Sequence, residues 1–171
     1  MKEGMLHVYT GNGKGKTTAG LGLALRAAGA GLKVFIGQFV KSMEYNEIKI
    51  LKKIDDIDVK QYGLSCFIDQ EPKEEDIKAA QDGLSEVSKI LKTDKYDLVI
   101  LDEANIAVYF DLFSIEELIE VIEHRNKEIE VVVTGRNARD EIIEKADLVT
   151  DMKEIKHYYE KGVKARDGIE R

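Results

Sequence analysis

One cysteine, Cys66, and one proline, Pro72, are all that 171 residues contain, and tryptophan is absent. A lone cysteine excludes a disulfide within the chain and a zinc cluster built on thiolates. A lone proline leaves few rigid breaks in the backbone. Aromatics are sparse, with seven tyrosines and five phenylalanines, so the core must be largely aliphatic. No apolar stretch approaches the roughly 20 residues that span a bilayer, and Met1-Lys2-Glu3-Gly4 is too short and polar for a signal peptide. An excess of positive charge is missing too: the formal net charge is −7, and charged residues make up 35% with their signs interspersed. That pattern disfavours nucleic acid, which rewards clustered positive charge, and suits solvated helix faces. Neither an internal repeat nor a linker interrupts the chain. The expectation is a single soluble, cytoplasmic domain over residues 1–171, with neither nucleic acid nor membrane as partner.

What the chain does have is a stretch that organises the rest, Thr10-Gly11-Asn12-Gly13-Lys14-Gly15-Lys16-Thr17-Thr18. An apolar run, Leu6 to Tyr9, precedes it, and a helix-like run, Ala19 to Ala30, follows. Strand, glycine-rich turn and helix is the setting a phosphate-cradling loop needs. The glycines let backbone N–H groups turn inward, and the positive end of the helix adds to the field at a bound phosphate. Lys16 supplies a point charge for the outer phosphates, and the Thr17 hydroxyl can ligate a magnesium ion. The loop departs from Gly-x-x-x-x-Gly-Lys-[Ser/Thr] at its first position, where Thr10 stands. The bland alternative is a glycine-rich turn that only joins a strand to a helix.

The periodicity predicts strands at Leu6–Tyr9, Lys33–Phe39, Asp58–Tyr62, Tyr96–Leu101, Glu130–Thr134 and Asp147–Asp151. It predicts helices at Lys16–Ala30, Glu44–Lys53, Glu74–Leu91, Ser114–His124 and Ala138–Ala146, the fourth opened by the capping box Ser114-Ile115-Glu116-Glu117. In the first helix Leu21, Ala24, Leu25 and Ala28 share a face. Residues 63–72 and the charged tail from Lys153 read as irregular. Strands alternating with helices argue for an α/β fold with a mostly parallel sheet and helices on both faces. The glycine-rich loop, Gln38 to Lys41, Asp102-Glu103 and Gly135-Arg136 then all sit at carboxyl ends of strands, around one crevice.

Asp102 follows four apolar residues, where an acid can hold a metal ion opposite the loop threonine. Glu103 can bind the metal as well, or orient an attacking water. The bland reading is that both carboxylates mark a helix start. Asn105 is either near the site or a local cap, and Arg136 either clamps an anion or is a surface arginine in a turn. His7 and His124 read as structural; the physics of the sequence does not rank His157. On these residues alone the chain is a phosphate-loop protein that binds a nucleoside triphosphate with magnesium. A nucleotide-hydrolysing or kinase activity, with Glu103 orienting water or an acceptor, stays open at this point, as does a binding module without turnover.

Taken together, the blocks resemble the P-loop-type ATP:corrinoid (cob(I)alamin) adenosyltransferases. They are Tyr9–Ala19, Gly22–Gly29, Gln38–Lys41, Leu101–Asn105, Val133–Arg136, Ala146–Met152, Lys156-His157 and Gly168–Glu170, in the family's order over nearly the whole chain. The form of the loop with Thr10 is the family's own. The resemblance implies a RecA-like P-loop NTPase fold and transfer of the 5′-deoxyadenosyl group of ATP to the Co(I) of a reduced corrinoid, with tripolyphosphate leaving. It implies that Gly11, Asn12, Gly13, Lys14, Gly15, Lys16, Thr17 and Thr18 bind ATP, and that Lys16 and Glu103 are the catalytic pair. Thr17, Asp102 and Glu103 would serve Mg2+ or Mn2+; Phe39, Phe67, Asn105 and Arg136 would contact the corrinoid. A reductase or flavoprotein as electron donor and a homodimer are compatible with the family. Two features depart from its pattern. Five residues precede the first strand where a longer arm is common, and Gly63 to Ile68 carries no tryptophan, leaving Phe67 as the aromatic.

Overall fold

The computed structural model describes residues 3–41, 43, 45–63 and 72–170. Its strands are β1 (Leu6–Thr10), β2 (Val34–Phe39), β3 (Ile57–Tyr62), β4 (Leu98–Asp102), β5 (Glu130–Thr134) and β6 (Leu148–Asp151). They form one sheet in the order β3-β2-β4-β5-β1-β6, and every neighbouring pair is parallel. The helices are α1 (Lys16–Gly29), α2 (Asn46–Leu51), α3 (Glu74–Ile90), α4 (Ala104–Tyr109), α5 (Ile115–Glu123) and α6 (Asp140–Lys145), with a short 3-10 turn at Tyr158–Lys161.

The central strands are continuous apolar runs because both faces of the sheet are covered. All five residues of β4 and all six of β2 are buried. Their side chains alternate between two cores. Val99 and Leu101 of β4 join Val131 and Val133 of β5 against Leu84 and Val87 of α3 and Leu118 and Ile122 of α5. Leu98, Ile100 and Val132 point the other way, to Leu21, Ala24 and Ala27 of α1 and Ile48 and Leu51 of α2. Each large aliphatic side chain so buried contributes about 1.5–3 kcal/mol. The fold is therefore α/β with helices on both faces, as a RecA-like P-loop architecture requires.

The inward face of α1 is rotated from the expected one. Leu21, Ala24 and Ala27 are buried, whereas Leu25 is 49% exposed. At α5 the expected capping box is formed: the Glu117 N–H donates to Ser114 Oγ at 3.1 Å, and the Ser114 N–H donates to Glu117 Oε2 at 2.7 Å. Helix α4 was not expected. It starts without a side-chain cap, from Glu103 in the left-handed conformation (φ 59°). Among the described residues no helix is long and apolar enough to cross a membrane. Phe67 and Cys66 fall outside the described residues.

Parallel strands put every loop that follows a strand at one rim. Residues Gln38 and Asp102 pair across β2 and β4, and Tyr9 and Thr134 pair across β1 and β5. The glycine-rich loop and the acidic pair are thus brought to the same edge by topology alone.

Candidate active site

Helix α1 begins at Lys16, and its N-terminal boundary is Gly15 (φ 122°), which has no side chain to cap it. The first-turn N–H groups are left for an anion. The loop before it is pressed against the chain that leaves β6. Gly13 N donates to Met152 O at 2.6 Å, and Glu154 N donates to Asn12 Oδ1 at 3.0 Å. Gly11 has φ 96°, and a Cβ there would run into Asp151 and Met152. Glycine is required at that position for both its conformation and its lack of a side chain.

The Lys16 ammonium is buried and donates to Gly13 O at 2.7 Å. Its pKa is pulled down by burial and by the neighbouring Arg136. Behind Thr17 stands Asp102, 1% exposed, each of its carboxylate oxygens accepting two hydrogen bonds. Thr17 Oγ1 (2.9 Å) and Thr134 Oγ1 (2.7 Å) donate to Oδ1; Gln38 Nε2 (2.9 Å) and Lys41 Nζ (2.7 Å) donate to Oδ2. Burial opposes the charge on Asp102, but Lys41 and the two threonines outweigh it and hold the carboxyl below its usual range. Glu103 goes the other way: burial and the Asp102 charge raise it. Two adjacent carboxylates whose environments separate their pKa values mark a functional site.

Lys16, Thr17, Lys41, Glu103 and Arg136 line a crevice of about 950 Å³, at the upper end of the roughly 300–1,000 Å³ of small-molecule sites. Its lining is polar and charged from Gly13 to Thr18 and at Lys41, Glu103 and Arg136, and apolar at Leu21, Leu25, Ile106, Phe110 and Ile169. The tail contributes to this lining through Glu154, His157 and Gly168 to Glu170. A second, smaller cavity of about 210 Å³ beside Leu6, Ile119 and Lys145 holds none of these groups.

The structure gathers most of the expected residues and reassigns several. Gly13, Lys14, Gly15, Lys16, Thr17 and Thr18 line the crevice, while Gly11 and Asn12 lie behind it and shape the loop against residues 151–154. The Lys14 side chain is turned to the tail, donating to Tyr158 Oη, Ile169 O and Glu170 Oε1 at 3.1–3.2 Å. Phe39 is corrected: it is fully buried, packed on Tyr62 and Phe113, and shows a ligand no surface. Its apolar ring follows the alternation of β2 into the core. Asn105 is likewise buried, and donates to Gly135 O at 3.2 Å, tying α4 to the end of β5. Arg136 is exposed and faces the crevice. His7 pairs with Glu130 at 2.6 Å, and His124 Nδ1 meets Glu120 O at 2.8 Å, both structural as expected.

The sequence puts Gln38 to Lys41 at the rim of the crevice but assigns no individual role to Lys41, Gln38 or Thr134, although they hold Asp102. The signal for Lys41 was its place just after a buried parallel strand. What aims it is less visible: Val40 adopts φ 58°, an outlier conformation for a β-branched residue. Backbone strain of this kind is of order 1–3 kcal/mol and clusters at functional sites.

Thr17 hydroxyl, Glu103 carboxylate and the space beside the loop fit a hard divalent cation, which takes one or two protein carboxylates and completes its shell with phosphate oxygens and water. Among the described residues no group of three or more His, Cys, Asp or Glu is arranged to hold a metal.

The family model described as ATP:corrinoid adenosyltransferase BtuR/CobO/CobP matches residues 2–171. The corrinoid adenosyltransferase of Escherichia coli (strain K12) is 34% identical over 169 residues, which cover 99% of this chain and 86% of that protein. The corrinoid adenosyltransferase of Sinorhizobium sp is 33% identical over 174 residues, with 99% and 81% covered. Corrinoid adenosyltransferase CobA of Salmonella typhimurium is 32% identical over 169 residues, with 99% and 86% covered.

Proposed function

This chain belongs to the ATP:corrinoid adenosyltransferase family, and from that membership and the geometry of the crevice we propose how it carries out the family's reaction. The enzyme transfers the adenosyl group of ATP to a corrinoid. In our reading the corrinoid arrives reduced, its Co(I) attacks C5′ of the ribose, and the cobalt–carbon bond forms as the C5′–O bond breaks. The electron pair leaves with tripolyphosphate.

The observation that carries this reading is a single crevice lined by the glycine-rich loop, Lys16, Lys41 and Arg136 together with the apolar Leu21, Leu25, Ile106, Phe110 and Ile169. Co(I) is its own nucleophile, so the protein has no proton to remove. Its work is to orient the nucleotide, neutralise a highly charged leaving group and exclude water. In this reading the uncapped start of α1, Lys16 and Arg136 receive the triphosphate, supported by their lining one crevice. Thr17 and Glu103 would hold Mg2+ or Mn2+, which would supply further positive charge to the phosphates. Asp102, buried behind Thr17 and accepting from its hydroxyl, supports Thr17 rather than reaching the metal itself. The flat, largely apolar corrin suits the wall formed by Leu25, Ile106, Phe110 and Ile169. A reductase or flavoprotein delivering the electron to cobalt, a cytoplasmic setting and a homodimer complete the reading.

The test is anaerobic. Protein, chemically reduced cob(I)alamin, Mg2+ and ATP are combined; the light-sensitive cobalt–carbon product is followed by absorbance and the phosphate product identified. Adenosylated corrinoid with stoichiometric tripolyphosphate is the expected result. ADP without adenosylation would overturn it in favour of a hydrolase or kinase in which Glu103 orients the acceptor.

A further inference from the structure

Lys41 is a crevice cation that the reaction above does not use. Its ammonium stands 2.7 Å from Asp102 Oδ2, 3.3 Å from Thr17 Oγ1 and 3.9 Å from Glu103 Oε1. Two of these groups are the donors assigned to the divalent ion, and the third supports them. The side chain is mostly buried (16% exposed), and its ammonium lies 5.9 Å from the Tyr45 ring centroid.

The chain is built to put it there. The strained Val40 turns the backbone out of β2. Gly63, at the end of the neighbouring strand, leaves room for the Lys41 backbone: a Cβ at Gly63 would lie 2.5 Å from Lys41 N. The other donors to Asp102 belong to strand residues Gln38 and Thr134 and to helix residue Thr17, whose backbones are fixed. Lysine alone among them has a long flexible stem and can withdraw.

We propose that Lys41 is a resident counter-ion for the metal seat. Its ammonium neutralises Asp102 and Glu103 until a divalent cation arrives with the nucleotide, and then swings onto the incoming phosphates. Without it, the buried Asp102 and the partly buried Glu103 would lose the cation that, among the described residues, stands within 4 Å of both, a costly arrangement. With it, a metal ion alone must evict a hydrogen-bonded ammonium that has nowhere better to go. A metal–triphosphate complex brings the anionic destination with it. The seat therefore accepts the metal as part of the nucleotide complex and rejects it alone. Lys41 is a positioning residue here, and the inference rests on the reading of Thr17 and Glu103 as the metal-holding pair.

The experiment is Mn2+ binding without nucleotide or corrinoid, read by the loss of the free-ion EPR signal. Wild-type protein is expected to bind Mn2+ weakly. Lys41→Met should bind it at least about tenfold tighter, because removing a like charge from the seat removes a direct repulsion. Lys41→Arg should stay close to wild type. The double variant Lys41→Met/Glu103→Gln should lose the gain. If Lys41→Met is too unstable for titration, MnCl2 should raise its melting temperature and leave that of wild type unchanged. No tightening and no Mn2+-dependent stabilisation in Lys41→Met, or an equal gain in Lys41→Arg, would overturn the proposal. Adenosyl transfer by wild-type protein is read separately, so an active enzyme with an unresponsive Lys41→Met refutes the counter-ion and leaves the function standing.

Discussion

The backbone N–H of Glu103 donates to the Thr134 hydroxyl at 3.0 Å. The same hydroxyl donates to Asp102 Oδ1, so one side chain of β5 holds both members of the acidic pair: one through its backbone, the other through its carboxylate. Thr134 is fully buried. Thr134→Val keeps the shape and removes the hydroxyl, leaving a partly buried N–H without its partner. It should destabilise the protein by about 1–3 kcal/mol and lower kcat more than it changes KM for ATP, while Thr134→Ser stays near wild type. Chemical denaturation and steady-state kinetics check both.

Lys16 is the charge closest to where the phosphates are expected. Lys16→Ala should leave the fold intact and reduce adenosyl transfer by about 10²–10³-fold, the scale of removing one preorganised charge-stabilising group. The anaerobic assay measures the loss, and circular dichroism confirms folding.

Glu103 sets function against stability. Burial first, then the Asp102 charge, raises its carboxyl, with Lys41, Lys16 and Arg136 offsetting in part. The folded state therefore holds the Glu103 proton more tightly than the unfolded state does. Between the ordinary glutamate pKa and the raised value, stability falls as pH rises. Glu103→Gln should melt at a higher temperature than wild type above that window, and the gap should close as pH is lowered through it. Transfer activity should fall at least about 100-fold. Melting curves across pH, beside the activity assay, decide; a variant less stable than wild type at neutral pH contradicts the argument.

Glu170 anchors the tail that walls the crevice. It accepts from Arg166 N at 2.7 Å, Arg166 Nη2 at 3.2 Å, Lys14 Nζ at 3.1 Å and the Tyr158 hydroxyl. Arg166 and Tyr158, in that order, hold its carboxyl far below the usual range. The contribution is fully present above the ordinary glutamate pKa and is lost only as pH falls through the depressed value, so the anchor should not change between about pH 5 and 8. Glu170→Gln should speed hydrogen exchange over residues 158–170 and raise KM for ATP, because Lys14 and the crevice wall are released together.

Gly11→Ala should be the most damaging small change in the loop. A left-handed backbone costs an alanine roughly 1–2 kcal/mol, and its methyl group would displace Asp151 and Met152. Loss of stability and weaker nucleotide binding are expected together, by thermal melting and calorimetry.

The sequence disclosed what is local and periodic. The loop from Gly13 to Thr18, the strand running into Asp102 and the capping box at Ser114 carry their signals within a few residues, and each is found where expected. Helix α4 was hidden because it has no side-chain cap and because Glu103 enters it from a left-handed turn whose N–H is bonded to Thr134, distant in the chain. Lys41 was hidden because its meaning depends on β2 lying beside β4, with Gln38 opposite Asp102. Phe39 was misjudged for the related reason that nearness to the crevice along the chain does not fix the face of the strand. The tail read as irregular and mostly is, but Lys14 finds Tyr158 and Glu170 across more than a hundred residues of chain.

Because every strand of the sheet runs the same way, the protein has a working end and an idle one. The turn at Thr93 to Lys95 enters β4 from the far side, five strand residues from the acidic pair, or roughly 17 Å at about 3.3 Å per residue. A fluorophore or affinity handle grafted at Asp94 would ride on that idle end and report on the molecule without touching its chemistry.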